Sequence, residues 1–267
     1  MAQSSGLEAS KIAIFLSYAV SAFSVLFYLL PYANGKHYLT PFSSTFFITM
    51  MFWVITLLLQ FMFIINVFFN TSVSSANQSS VIAVVGPHFT IFNILNALWA
   101  YFFTMRSFLI SEIILFVNLV NLLALYFSHK TIKIRSLPDW LTIHLPVTGI
   151  PLAWTLYAIF WNGATLFHSH NKSLLPRLLA NFFIWEFLVV PLTLLVLYSD
   201  SSVSLATSFL LLGVGFAQMT TKLVALQWIF AFIISGLDFV LSIVYMFSSA
   251  ISQTSTGNSN DQAPLLA

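Results

Sequence analysis

Between Val203 and Phe247 the chain runs for 45 residues with only two charged side chains, Lys222 and Asp238. A single helix of that length rises about 1.5 Å per residue and far outreaches the ~30 Å hydrocarbon core that so apolar a segment suits. The stretch therefore predicts two membrane helices, turning near Thr220, Thr221 and Lys222. Six further apolar runs precede it, at about Ile12–Leu30, Phe46–Phe69, Val81–Phe103, Phe108–Phe127, Leu145–Phe167 and Leu178–Tyr198. The runs are continuous rather than alternating, so they read as helices and not as barrel strands. The expected fold is all-α, a polytopic transmembrane bundle of about eight spans. One membrane domain covers 1–247, and a polar tail without periodicity, 248–267, is expected to be disordered.

Composition excludes most other classes. Of 267 residues, 59% are apolar and 6% charged, where soluble domains carry roughly 25% charged residues. So few charges cannot cover a soluble globule of this mass. A net charge of +2 without basic runs gives nucleic-acid binding no footing. The absence of cysteine removes disulfides, thiolate metal sites and cysteine nucleophiles together. Six histidines form no HExxH or comparable ligand pattern; His168 and His170 read as loop residues, so no metal is expected. No P-loop, GxGxxG or GxSxG segment occurs, and no cofactor is expected. Membrane lipid is the partner that composition implies.

The first apolar run is too long for the core of a cleavable signal peptide, and its flank holds Glu8 and no arginine. It reads as an uncleaved span inserted at the endoplasmic reticulum, which predicts residence there or in another endomembrane. Lys130, Lys133 and Arg135 concentrate in the loop from His129 to Asp139. That loop and both termini are read as cytosolic. Glycosylation patterns begin at Asn70, Asn77 and Asn171, but the span count prevents all three from being lumenal.

Ionisable groups within a bilayer are costly and mark candidate sites. Glu112 and Lys222 fall near span ends, where snorkelling to the interface accounts for them. Glu186 and Asp238 lie deeper. Ala231, Ser235, Asp238 and Ser242 form one small, polar stripe on the last span, and Ala206, Gly213, Ala217 and Thr220 form a comparable stripe on the seventh. Packing of these two stripes is expected, with Asp238 turned toward the seventh span. Its carboxyl is expected either to bond Ser, Thr or Gln from neighbouring spans or to stay neutral. Asn93 and Asn96 share a face, as do Asn118 and Asn121, and Thr148, Thr155 and Asn162 recur at intervals of seven. Glu112, Glu186, Asp238, Asn93, Asn118 and Asn162 make up the candidate intramembrane polar set.

The segments GPHFTIFNILNALWAYFF, NLVNLLALYFSHK, PLAWTLYAIFWNGATLF and TTKLVALQWIFAF resemble an uncharacterised fungal family of multi-pass membrane proteins. The resemblance spans about residues 80–247 and implies an endomembrane location rather than a particular chemistry. Separately, GKHYLT and DWLTIH are similar to the surroundings of the catalytic threonine and histidine of androgen-induced membrane hydrolases, which cleave lipid esters. That similarity implies Thr40 as nucleophile and His144 as its base. The span count sets the two residues at opposite membrane faces, roughly 30 Å apart, unless one span is re-entrant, the one containing Pro87 being the candidate. Three functions follow: a structural or assembly component of an endomembrane, a small-solute or proton-coupled transporter using the polar set, and an intramembrane lipid-ester hydrolase.

Overall fold

In a computed structural model, residues 2–33, 39–69, 75–129, 140–167, 174–224 and 226–260 are described. The basic loop 130–139, the acceptor patterns at Asn70 and Asn171, and His168 and His170 lie outside them, wholly or in part. Among the described residues there is no strand, and eight helices are long and apolar enough to cross a membrane. These spans are Leu7–Leu29, Phe46–Phe69, Ile82–Thr104, Phe108–Ser128, Trp140–Leu166, Leu178–Tyr198, Ser202–Thr221 and Gln227–Phe247. The turn after the seventh falls at Lys222, which takes a left-handed conformation with φ 49°. The last helix does not stop with its apolar run. It continues to Asn260, since a helix once nucleated adds polar residues at one backbone hydrogen bond each.

Two spans form the centre. Over an 18-residue apolar stretch of each span, 78% of the fifth and 67% of the seventh is buried, against 28–44% of the other six. The reason is in their composition. Thr148, Gly149, Thr155 and Asn162 in the fifth, and three serines, two glycines and Gln218 in the seventh, are poor partners for lipid, so other helices cover them. Around them the spans run back and forth, with the first and third parallel and most neighbouring pairs antiparallel. Asn96 donates to Ser21 at 3.3 Å and Ser24 to the Ala97 carbonyl, which sets the parallel register of the first and third spans.

An aromatic core fills the bundle between the central spans and their neighbours. Trp53 meets Trp154 edge-on with ring centroids 4.8 Å apart, Trp99 meets Trp154 at 5.8 Å, and Phe103 meets Trp161 at 5.0 Å. Among the described residues the indole N–H groups of Trp53, Trp99 and Trp154 have no hydrogen-bond acceptor.

Proline shapes two spans differently, and a turn divides a third. The third runs through Pro87 as one continuous helix, Ser75–Thr104, so it is not re-entrant. The fifth opens in wide, π-type turns from Trp140 to Gly149 around Pro146, which relieve the clash of the proline ring with the preceding turn. It therefore begins five residues earlier than its apolar run suggests. The sixth breaks into Leu174–Phe183 and Glu186–Tyr198, joined by a tight turn at Ile184 and Trp185.

Candidate functional site

The sharpest concentration of buried polar chemistry lies where the sixth span hands over to the seventh. Ser199 leaves the sixth helix in the left-handed region, with φ 55°. Asp200 then starts the next helix as Asp does in an Asx turn, using its side chain to satisfy an orphan N–H. Its Oδ1 accepts the Ser202 backbone N–H at 2.9 Å and the Ser202 hydroxyl at 2.6 Å.

The wide turns of the fifth span carry His144 onto this corner. Its Nε2 lies 2.9 Å from Asp200 Oδ2 and 3.2 Å from Ser202 Oγ. Gly149, one turn further along, packs directly on Ser202; a Cβ there would overlap the serine side chain. Tyr126 of the fourth span and Tyr198 wall the corner, with rings 5.6 Å apart and Tyr126 6.3 Å from the imidazole. His144 and Asp200 are each 7% exposed and Ser202 not at all.

Burial alone would raise the Asp200 carboxyl. Hydrogen bonds from His144 and Ser202, together with the charge His144 carries when protonated, outweigh it and hold the group at about 2. The positive end of the seventh helix favours the same anionic state.

This geometry is a latch and not a nucleophile relay. In a Ser-His-Asp triad the acid holds one ring nitrogen and the serine meets the other. Here one nitrogen, Nε2, faces both partners. Beside an ionised carboxylate it carries its hydrogen toward Asp200, so it cannot also take the Ser202 proton, which points at Oδ1. The arrangement joins the start of the fifth span to the loop before the seventh through one shared anion.

The pairing of Thr40 with His144 is not present. Thr40 is fully buried at the opposite end of the bundle, in a turn with Ser43 (N–H to Ser43 Oγ, 2.9 Å), and Gln218 donates to its carbonyl at 2.8 Å. Gln218 and Ser202 stand sixteen residues apart on the seventh helix, about 24 Å along its axis. A proton transfer needs about 3 Å. The side chains that do meet His144, those of Asp200 and Ser202, come from the short Ser-Asp-Ser-Ser turn between the sixth and seventh apolar runs. An Asp flanked by serines just before a helix is a capping signal, and it is the local cue that the sequence carries for this corner.

The candidate polar set separates into distinct places. Glu112 does not snorkel. It turns inward to accept a short hydrogen bond from Asn162 Nδ2, while Ser111 donates to Asn162 Oδ1 at 2.7 Å. This cluster ties the fourth span to the far end of the fifth. That register sets Asn118 opposite Thr155, both buried; among the described residues Asn118 Oδ1 and Thr155 Oγ1 have no hydrogen-bond partner. Asn93 donates back to Phe89 of its own helix at 3.0 Å. Asn121 and His88 bond reciprocally, at 2.8 and 3.0 Å. Glu186 is half-buried in the first turn after the break in the sixth span, where a helix N-terminus favours a carboxylate.

Asp238 is fully buried against the seventh span, but through a different stripe from the one expected. Ser204 donates to the Asp238 carbonyl at 3.2 Å, Ser208 and Ser235 exchange hydroxyl-to-carbonyl bonds at 2.8 Å each, and Ser242 donates to Ser201. The bonds go to backbone; among the described residues neither Asp238 carboxyl oxygen has a hydrogen-bond partner. Gly213 of the expected stripe faces the other way. Gly213 lies against Ser44 and Ile48, and its carbonyl accepts the Thr45 N–H at 3.1 Å.

Residues 177–266, which hold Asp200, Ser202 and the last two spans, match a family described as a fungal protein of unknown function (DUF1774). An uncharacterised protein of Schizosaccharomyces pombe is 32% identical over 141 residues, 51% of this chain and 50% of that protein. The chain thus spans about half the length of this curated relative. No solved structure matches it. These similarities support an uncharacterised fungal family, as the resemblance of the sequence segments implies.

Proposed function

We propose that the protein is a structural or assembly component of an endomembrane, most simply the endoplasmic reticulum into which its first span inserts. One observation carries this reading: a series of buried or half-buried polar side chains pins neighbouring helices to one another. Such pins join the first span to the second (Tyr18 to the Leu57 carbonyl, 3.1 Å) and the second to the fifth (Gln60 to the Pro146 carbonyl, 3.4 Å). Others join the third to the fourth, the fourth to the fifth, and the seventh to the eighth. Interhelical hydrogen bonds in a bilayer are worth roughly 0.6–2 kcal/mol each, and their sum favours one fixed arrangement. The carboxyl clusters at Asp200 and Glu112 sit at opposite ends of the fifth span with the tryptophan core between them, and Asp238 stands apart from both between the seventh and eighth spans. That separation favours a scaffold over a proton path.

The test is reconstitution into sealed proteoliposomes carrying a pH-sensitive dye. Proton leak equal to that of empty vesicles is expected, and Asp238→Asn should accumulate in cells as the natural protein does. A proton or solute flux that Asp238→Asn abolishes would replace this reading with the transporter. Cytosolic placement of the His129–Asp139 loop belongs to the same proposal; single-cysteine labelling in sealed microsomes should reach it from outside.

A further inference from the structure

We infer that the groove between the second, fifth, seventh and eighth spans holds one acyl chain of a membrane glycerophospholipid. The groove has a volume of about 540 Å³, within the size range of small-molecule sites. It lies entirely along membrane spans, so what meets it is the hydrocarbon layer. Its walls are Phe52, Phe209, Phe232 and Phe239, and they are stiff: Phe52 stacks on Phe209 at 6.4 Å and on Trp154 at 5.5 Å.

Two small residues keep it open. Ala206 lines the seventh-span side, and Gly236 of the eighth opens into it, where an added Cβ meets no atom within 4 Å. This sets Gly236 apart from Gly149 and Gly213, which are pressed against neighbouring side chains. A glycine that no packing contact requires leaves space for something other than the protein.

The hydroxyls along the groove identify the occupant. Thr56 donates to the Phe52 carbonyl at 2.7 Å, and Ser208 and Ser235 donate to each other's carbonyls at 2.8 Å. Each is satisfied internally, so the groove offers an occupant only hydrocarbon. Nothing there holds a headgroup, an amine or a sterol hydroxyl, whereas a flexible methylene chain entering sideways needs none of them. The lining runs from Leu145 and Leu205, beside the His144–Asp200–Ser202 latch, toward Phe232. The acyl chain therefore lies along the seventh span. This rests on the spans lying in a bilayer and not on the assembly role.

Native mass spectrometry of the full chain, released from nanodiscs of equimolar phosphatidylcholine and ergosterol, tests the inference. One phosphatidylcholine should stay bound to the natural protein at activation energies that strip loosely held lipid. Gly236→Trp, which fills the groove, should lower that retained fraction at least tenfold, and Gly236→Leu should lower it less. Circular dichroism and melting temperature establish that each variant folds. No retained phosphatidylcholine on the natural protein, retention of ergosterol instead, or equal retention by a folded Gly236→Trp would each overturn it. Because none of these readouts involves flux, they fail or succeed independently of the proteoliposome test.

Discussion

Each end of the fifth span is tied to a neighbour through a carboxyl group, and the two ties differ in kind. At the His144 end, Asp200 lies in a loop, almost wholly buried, and accepts from an imidazole, a hydroxyl and a backbone N–H. At the Asn162 end, Glu112 lies within a span, half-buried, and accepts from one neutral amide. Three donors and a helix N-terminus sustain a charge in a buried corner; a single amide provides a hydrogen bond and no counter-charge. The first tie is an ionic latch and the second a polar contact between helices.

Removing the latch carboxylate should separate the two most clearly. Asp200→Ala leaves His144 and the Ser202 N–H and hydroxyl buried without their acceptor, a loss of about 3–5 kcal/mol. Melting in mild detergent should show it as a large drop, with Glu112→Ala losing much less. A drop of equal size in both would dissolve the distinction.

Steric entry to the latch comes next. Gly149→Ala forces a methyl into Ser202 and should cost about 1–3 kcal/mol. Gly236→Ala, facing open space, should melt as the natural protein does. If Gly149→Ala were equally silent, the close approach of the fifth and seventh spans would not be needed for stability.

Acid should weaken one tie in a defined window. The Asp200 carboxyl lies near 2 in the folded protein against 3.8 ordinarily. Its depressed folded-state value means the stabilisation is present above about pH 4 and lost as pH falls toward 2, about 2 kcal/mol in all. Comparing the pH dependence of melting for the natural protein and Asp200→Asn should reveal that window, and its persistence in the variant would assign it elsewhere.

The smallest effect is expected of Glu112→Gln. The amide oxygen still accepts from Asn162, so stability should change by less than about 1 kcal/mol. A loss comparable to that of Asp200→Ala would mean that Glu112 carries a charge the bundle depends on.

Much of the fold was legible without coordinates. The eight spans, the turn at Lys222 and the grouping of Ser235, Asp238 and Ser242 on one buried face all follow from residue order. Partner choice did not. Ala206, Gly213 and Ala217 form a stripe on the seventh helix, yet Gly213 meets the start of the second span while Ser201, Ser204 and Ser208 meet the eighth. Both faces of that helix are small, and spacing alone does not rank them. The latch was hidden for a related reason: His144, Asp200 and Ser202 are 56 and 2 residues apart in the chain, and only the capping half of the cluster is local.

Apolar length and helical spacing belong to single segments, because a span must satisfy its own backbone in lipid and turn its polar face inward; residue order alone therefore determined that this chain is a helical membrane bundle with a polar interior. Which helix stands beside which was left to the tertiary structure. Lipid tails and leucines are equally apolar, so association between spans depends on close packing and a few matched hydrogen bonds. Those matches, between His144 and Asp200, Ser111 and Asn162, Ser208 and Ser235, exist only once the spans are side by side.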